Sequence, residues 1–302
     1  MKRLIRGLLL VALIIPLFAC AAHLSFSGRG AVPAKPDAAL RMATLNVHYI
    51  VLARAEGPWS VADWDRRKGA MDAAVKAVDA DVFALQESES FGGGSMATQN
   101  LTLDYLLAQN RELRAAAVGD PADFPITQPI LYRAARLAVE EEGWFFFSDT
   151  PDVIYSRTFN GSWPAFASWA AFRDRDTGAR FRVVNVHFEY RSRSNRQLSA
   201  ALVRDRIAPW IAADEKVFVI GDLNALRGSA TLGRIEEAGI TFAPVRGATY
   251  HFNRGINLFG AIDHLGYSDG VALDGEPVVL RQKFEGEWPT DHYPVFADLT
   301  FD

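Results

Sequence analysis

FASWAAFRDRDTGARFRVVNVHF, residues 166–188, decides between the fold classes open to this chain. Two apolar-rich runs, 166–173 and 179–188, flank 174–178, which contains Asp-Thr-Gly and gives a hairpin signal. Beyond the hairpin, 194–212 carries Leu198, Leu202, Ile207 and Trp210 at helical spacing, and KVFVI at 216–220 is a continuous apolar run of the kind buried strands carry. A hairpin running into a strand–helix–strand unit mixes antiparallel and crossover connections. That pattern predicts a layered α/β domain rather than a regular βαβ repeat.

The rest of the chain extends this pattern. Strand-like runs are expected at 41–48, 81–86, 129–132 and 137–147, and closing strands at 262–267, 271–280 and 292–301. A helix is expected from Ser60 to about 79, with Val61, Trp64, Met71, Val75 and Val78 inward and Asp63 completing a loose capping box. A second is expected over 96–109, with Leu101, Tyr105 and Leu106 inward. Phe145, Phe146 and Phe147 read as core, whereas Phe159, Trp163 and Phe166 read equally as a substrate entrance or as core cover. Nothing within 41–302 repeats or shifts in composition, so this stretch is expected to form one domain.

With 302 residues, 49% hydrophobic and 23% charged, the chain is long and apolar enough to bury a substantial core, which excludes a disordered or fibrous class. A formal net charge of −4 weighs against a protein that coats nucleic acid. The one cysteine excludes an internal disulfide and a Cys-rich zinc module. The N-terminus has the three parts of an export signal: Lys2, Arg3 and Arg6, an apolar run from Leu8 to about Ala22, and a small-residue exit. The apolar run is shorter than a spanning helix needs. Leu17-Phe18-Ala19-Cys20 resembles a lipoprotein signal, while Ala19-Cys20-Ala21 also fits ordinary cleavage. The expected organisation is therefore a signal at 1–22, a linker at 23–40 and a folded domain at 41–302. The protein is expected to be exported to the periplasm or cell envelope, with membrane association if Cys20 is lipidated. No protein partner is expected.

Polar residues recur at the ends of apolar strands. Asn46 and His48, Gln86 and Glu87, His187 and Glu189, Asp222 and Asn224, and Asp263 and His264 end their runs, and Asp291 and His292 open the last one. Singly, each fits a cap or a turn. Six such pairs from six strand ends can share one rim of a layered sheet. Carboxylates and amides with few softer donors suit a hard divalent cation, and histidines beside carboxylates suit acid–base work or charge stabilisation. A cation with imidazolium and amide donors is what a phosphoryl group in transfer needs.

These segments together resemble the endonuclease/exonuclease/phosphatase superfamily of metal-dependent phosphoesterases. The segments that carry the resemblance are TLNVHY (44–49), ALQES (84–88), VVNVHFEY (183–190), VIGDLNA (219–225), AIDHLGYS (261–268) and TDHYPV (290–295). Each is weak alone; their order and spacing are specific. The resemblance implies a four-layered α/β sandwich, two packed mixed β-sheets flanked by helices. It implies metal ligation by Glu87, Asn46 and Asp291, with Mg²⁺, Mn²⁺ or Ca²⁺ as cofactor. Asp222 would activate the attacking water, Asn224 would hold that water or a phosphate oxygen, and His187 would contact the phosphate. His292, oriented by Asp263, would stabilise the developing charge. The substrate implied is a phosphomonoester or phosphodiester.

The likeness extends to an exported bacterial branch through QPILYR (128–133) and the Trp163 loop. Members of that branch tend to carry arginine where His48 stands and near Ala165, and this chain lacks both; Arg133, Arg191 and Arg193 are candidates to replace the charge. A catalytically silent envelope binding protein on the same scaffold is the competing reading, and a nuclease is the competing substrate class. GDLNA also has a superficial likeness to calcineurin-type phosphatases, whose D-x-H and GNH segments are absent here.

Overall fold

The computed structural model describes residues 2–28, 30–36, 38–91 and 99–301. In chain order the elements are α1 (Lys2–Phe26), β1 (Leu40–Asn46), β2 (Ile50–Val51), α2 (Val61–Val78), β3 (Val82–Gln86), β4 (Ser90–Phe91) and α3 (Leu101–Gln109). Then come β5 (Leu113–Ala116), β6 (Ile130–Arg133), β7 (Leu137–Phe146), β8 (Phe166–Asp174), β9 (Arg180–His187), α4 (Arg193–Ala212) and β10 (Lys216–Asp222). The chain closes with α5 (Ala230–Glu236), β11 (Thr241–Phe242), β12 (Asp263–Tyr267), β13 (Val271–Leu273), β14 (Val278–Val279) and β15 (Val295–Phe301).

Among the described residues, two mixed sheets carry the domain. One has seven strands, in the order β13-β15-β1-β3-β6-β5 with β14 also on β15, and the other has six, in the order β11-β12-β10-β9-β8-β7. Alternation along the strands builds three cores. Leu40 and Met42 of β1 and Val82 and Ala84 of β3 point between the sheets, against Phe172, Val183, Phe218 and Ile220. Ala43, Leu45, Phe83 and Leu85 point the other way, onto Trp64, Met71, Val75 and Val78 of α2. Val184, Val186, Val217 and Val219 receive α4 and α5 through Ala200, Val203, Ile207 and Leu232. The result is helix, sheet, sheet, helix, the four-layered sandwich expected.

The expected elements shift at their ends for local reasons. Ser60 caps α2 by accepting the Asp63 N–H at 3.0 Å, but the Asp63 carboxylate turns to Arg66 and Arg67, so only half of a capping box forms. The helix expected over 96–109 begins at Leu101 behind the Asn100 cap, and 96–98 lie outside the described residues. On α4, Leu198 is 50% exposed, and the buried stripe is Asn195, Ser199, Ala200, Val203 and Ile207. The strand expected over 271–280 splits into β13 and β14 around Gly275, whose φ of 89° suits glycine. Phe145, Phe146 and Phe147 are core, Phe166 is buried against Phe146, and Trp163 is 65% exposed.

No helix is long and apolar enough to cross a membrane among the described residues. The stretch expected as a tether is fastened to the domain: Phe26 O accepts the Ala248 N–H at 3.0 Å, Arg41 donates to Pro33 O at 3.0 Å, and Lys35 pairs with Asp81 at 3.0 Å.

Candidate active site

Strand register puts the polar strand ends at one rim. β1 and β3 run parallel with Asn46 opposite Gln86, and β9 and β10 run parallel with His187 opposite Asp222. β12 is antiparallel to β10 and starts at Asp263 opposite Asp222, while β15 is antiparallel to β1, so Asp291 and His292 arrive at the same end. The chain turns sharply here: Glu87, His48 and Asn224 take φ of 56°, 61° and 47°, a region that non-glycine residues seldom enter and that clusters at functional sites. Gly221 lets β10 close on β9. A Cβ there would lie 2.0 Å from Val186 O, so no other residue fits before Asp222.

The expected residues meet. Asn46 Nδ2 donates to Glu87 Oε1 at 3.0 Å and to Asp222 Oδ2 at 3.3 Å. His187 Nε2 lies 3.6 Å from Glu87 Oε1 and 3.8 Å from Asp222 Oδ2. His292 Nε2 is 3.8 Å from the same Asp222 oxygen, and its Nδ1 is 2.9 Å from Asp263 Oδ2. Asn224 donates its backbone N–H to Asp222 Oδ1 at 2.9 Å and its amide to Phe188 O at 2.8 Å. That arrangement fixes Asp222 and leaves the Asn224 amide oxygen to accept from a water. Asp291 lies beside Thr290 Oγ1 at 3.3 Å.

Burial and charge set the protonation states. Burial pushes the Asp222 carboxyl up, with Asp263 adding to it and His292 and His187 opposing, to about 6. Burial would lower the His292 imidazole, but Asp263, Asp222 and Asp291 override it and raise it to about 10. Desolvation works to raise Asp291, yet His292, His48 and His251 hold it below the usual carboxylate range. Near neutral pH the site therefore pairs an imidazolium with an ionisable base whose pKa lies close to the medium.

The donor set fits a hard cation at one place. Glu87 is a hard oxygen donor whose side chain keeps 18% exposure. Asn46 turns its amide nitrogen to Glu87 and its oxygen to the His48 N–H at 3.1 Å, so it would join Glu87 as an oxygen ligand with its amide turned over. The one group of three ionisable donors within 4.8 Å among the described residues is different: Asp222, Asp263 and His292. Its imidazole Nδ1 is already hydrogen-bonded to Asp263, so that trio reads better as a proton-holding chain than as a cage. Asp291, expected as a ligand, forms no such group with Glu87.

Several participants escaped the sequence reading. Arg67, fully buried, donates to the carbonyls of Val47, His48 and Pro289, tying together the loops that carry His48 and Asp291. Its i,i+4 pairing with Asp63 looks in sequence like an ordinary solvated helix pair. It sets a fixed positive charge beneath His48, whereas Arg133, a candidate for that task, pairs with Asp79 at the opposite end of β3. Arg191 and Arg193 are exposed. Tyr250 lays its ring edge-on against His292, with centroids 5.0 Å apart. Glu89, buried two residues after Glu87, is pushed up to about 8 by burial and by Glu87; the alternation in QESES was its signal. Beneath the rim Gln86 Nε2 donates to Asn185 Oδ1 at 2.7 Å and Asn185 Nδ2 to Leu85 O at 2.8 Å, stitching the two sheets together.

A family model described as the Endonuclease/Exonuclease/phosphatase family matches residues 43–292. No curated protein matches this sequence. Among solved structures, an endonuclease/exonuclease/phosphatase family protein from Bacteroides thetaiotaomicron is 22% identical with a TM-score of 0.71, over 87% of this chain and 98% of that one. A mannosyl-6-phosphatase from the same species is 22% identical with a TM-score of 0.70, over 87% of this chain and 100% of that one. The human Nocturnin catalytic domain, solved with a bound sulfate anion, is 13% identical with a TM-score of 0.63, over 91% and 100%.

Proposed function

This chain belongs to the Endonuclease/Exonuclease/phosphatase family, and on that premise we propose that it hydrolyses a phosphate ester with water in a divalent-metal-dependent reaction. The observation that carries this reading is the continuous set Asp263–His292–Asp222–Asn46–Glu87, drawn from both sheets and linked at 2.9 to 3.8 Å.

The ionised Asp222 accepts a proton as a water oxygen attacks phosphorus. The P–O bond to the leaving alkoxide breaks, the alkoxide takes a proton from solvent water, and Asp222 gives its proton back to solvent. Asn224 holds Asp222 in place by its backbone N–H and offers its amide oxygen to the water. As an imidazolium His292 keeps one N–H on Asp263 and presents the other, at Nε2, to a non-bridging phosphoryl oxygen, where negative charge grows in the transition state. His187, facing Glu87 and Asp222, serves as a second contact for the phosphate. A hard divalent ion, Mg²⁺, Mn²⁺ or Ca²⁺, held by Glu87 and Asn46 with Asp291 beside them, would supply Lewis-acid neutralisation of phosphate charge.

The acidic chain favours a lipid or small-molecule phosphoester over a long nucleic acid. The N-terminal pattern supports export to the cell envelope, with Cys20 as the lipidation site. The test is a phosphoesterase panel spanning sugar phosphates, nucleotides, sphingomyelin, phosphoinositides and DNA with each metal. We expect EDTA to abolish turnover and Asp222→Asn and His292→Ala each to lower kcat about 10²-fold or more while far-UV circular dichroism stays unchanged. Full activity in excess EDTA, or wild-type rates in both variants, would overturn the reading.

A further inference from the structure

The end of α1 is fastened to the loop that supplies Tyr250. The Asn257 N–H donates to His23 Nδ1 at 3.0 Å, the Asn257 amide donates to Ser27 Oγ at 2.9 Å, and the Ala248 N–H donates to Phe26 O at 3.0 Å. Around this junction apolar side chains face solvent from both partners. On the part of α1 that follows Cys20, Leu24 is 73% exposed, and on the domain Leu226, Phe252, Ile256 and Leu258 are 38 to 47% exposed. The two groups adjoin at Gly260, where a Cβ would lie 3.7 Å from Leu226 Cδ2 and 3.9 Å from Phe26 Cε1. Scattered apolar side chains on a surface are ordinary, but several exposed ones gathered at one junction mark an interaction face.

The charge of this face is one-sided. Residues 20–36, 225–234 and 246–260 contain no Asp or Glu, although the whole chain carries net negative charge, and Arg227 and Arg254 are exposed among the apolar residues. Apolar side chains interleaved with arginines suit the headgroup layer of an anionic bilayer. The catalytic rim is adjacent: Tyr250 contacts Phe252 at 4.6 Å between centroids and His292 at 5.0 Å. Cys20 lies six helical residues before Phe26, about 9 Å along the axis, so an acyl chain there would enter lipid beside this same face.

We propose that this face, built from the last turns of α1, the 250–260 loop and Leu226, docks on an anionic phospholipid bilayer, so that the catalytic mouth opens at the lipid surface. Docking is independent of turnover, and its test uses no activity. In the full chain with Cys20→Ser, an environment-sensitive fluorophore is attached at Ile256→Cys or, as a control, at Asp176→Cys. Asp176 is exposed on the β8–β9 turn, at the far end of β9 from His187. On vesicles of phosphatidylcholine with phosphatidylglycerol, emission from position 256 should move to the blue and that from 176 should not. Adding Arg227→Gln and Arg254→Gln should weaken the half-maximal lipid concentration for that shift roughly tenfold or more. Vesicles that carry the protein with no shift at 256 would mean that the leader alone holds it, and would overturn the proposal. Equal shifts at both positions would overturn it too, as would a shift at 256 that rises with protein concentration in the absence of lipid, the signature of a second copy on this face.

Discussion

Asp263 and His292 are 2.9 Å apart in a dry setting, and one proton shared at that distance decides the electrostatics of the whole rim. With Asp222 raised to about 6 and His292 to about 10, hydrolysis should rise with pH through about 6, as the base ionises, and fall through about 10, as the imidazolium is lost. A kcat profile measured from pH 5 to 11 checks both limbs. Asp263→Asn removes the main partner that holds His292 charged, so the alkaline limb should move down by more than one pH unit; an unmoved limb would assign it to another group. The same protonation bears on folding. His292 is raised above its ordinary value, so its stabilisation is complete below about 6.5 and disappears as pH climbs through about 10. Urea midpoints of the wild type should therefore fall over that interval by more than those of His292→Ala. At this scale Asn46, Glu87, His187, Asp222, Asp263 and His292 were legible because a polar side chain at the end of an apolar strand breaks the pattern. Arg67 was not, because its partners are carbonyls on loops remote in sequence, and nothing local marks an arginine as buried.

The elements explain why those side chains point where they do. β10 can end in Asp222 beside His187 because Gly221 permits the approach to Val186 O. Gly221→Ala should therefore destabilise the protein by about 3 kcal/mol or more, read as a loss of urea midpoint, since both its φ of 142° and the 2.0 Å clash oppose a Cβ. Ser60→Ala should cost only about 1 kcal/mol, because it removes a single cap bond from α2. Apolar spacing made β1, β3, β8, β9, β10 and α2 readable, including the hairpin at 174–178. Short pieces such as β5, β11 and α5 were missed. They hold few periodic residues, and their place is fixed by packing, as in Leu232 and Ile235 of α5 against the outer face of the second sheet.

For the molecule as a whole, the buried pairs that cross between distant segments matter most. Arg41 on β1 forms a two-pronged pair with Asp298 on β15, at 2.8 Å on each prong and almost without solvent. Asp298→Asn leaves a buried guanidinium without its counter-charge and should cost about 3 to 5 kcal/mol, measured by urea denaturation, while kcat of the folded fraction stays near wild type because the pair lies on a core strand away from the rim. Arg41 and Asp298 are separated by 257 residues, and no reading of local pattern couples them. A comparably long separation in sequence hid the fastening of Phe26 to Ala248. The layered class, by contrast, was legible, because it follows from many short-range patterns that agree.

The Gln86–Asn185 link joins two halves of a site that neither sheet holds by itself. Asn46 and Glu87 come from one sheet, and His187, Asp222 and Asp263 from the other. A collapsed intermediate with both sheets hydrogen-bonded but not yet docked would give a near-native far-UV spectrum and no turnover. Recovery of catalysis during refolding is therefore a clock for the final docking of the layers, and it should lag the return of secondary structure.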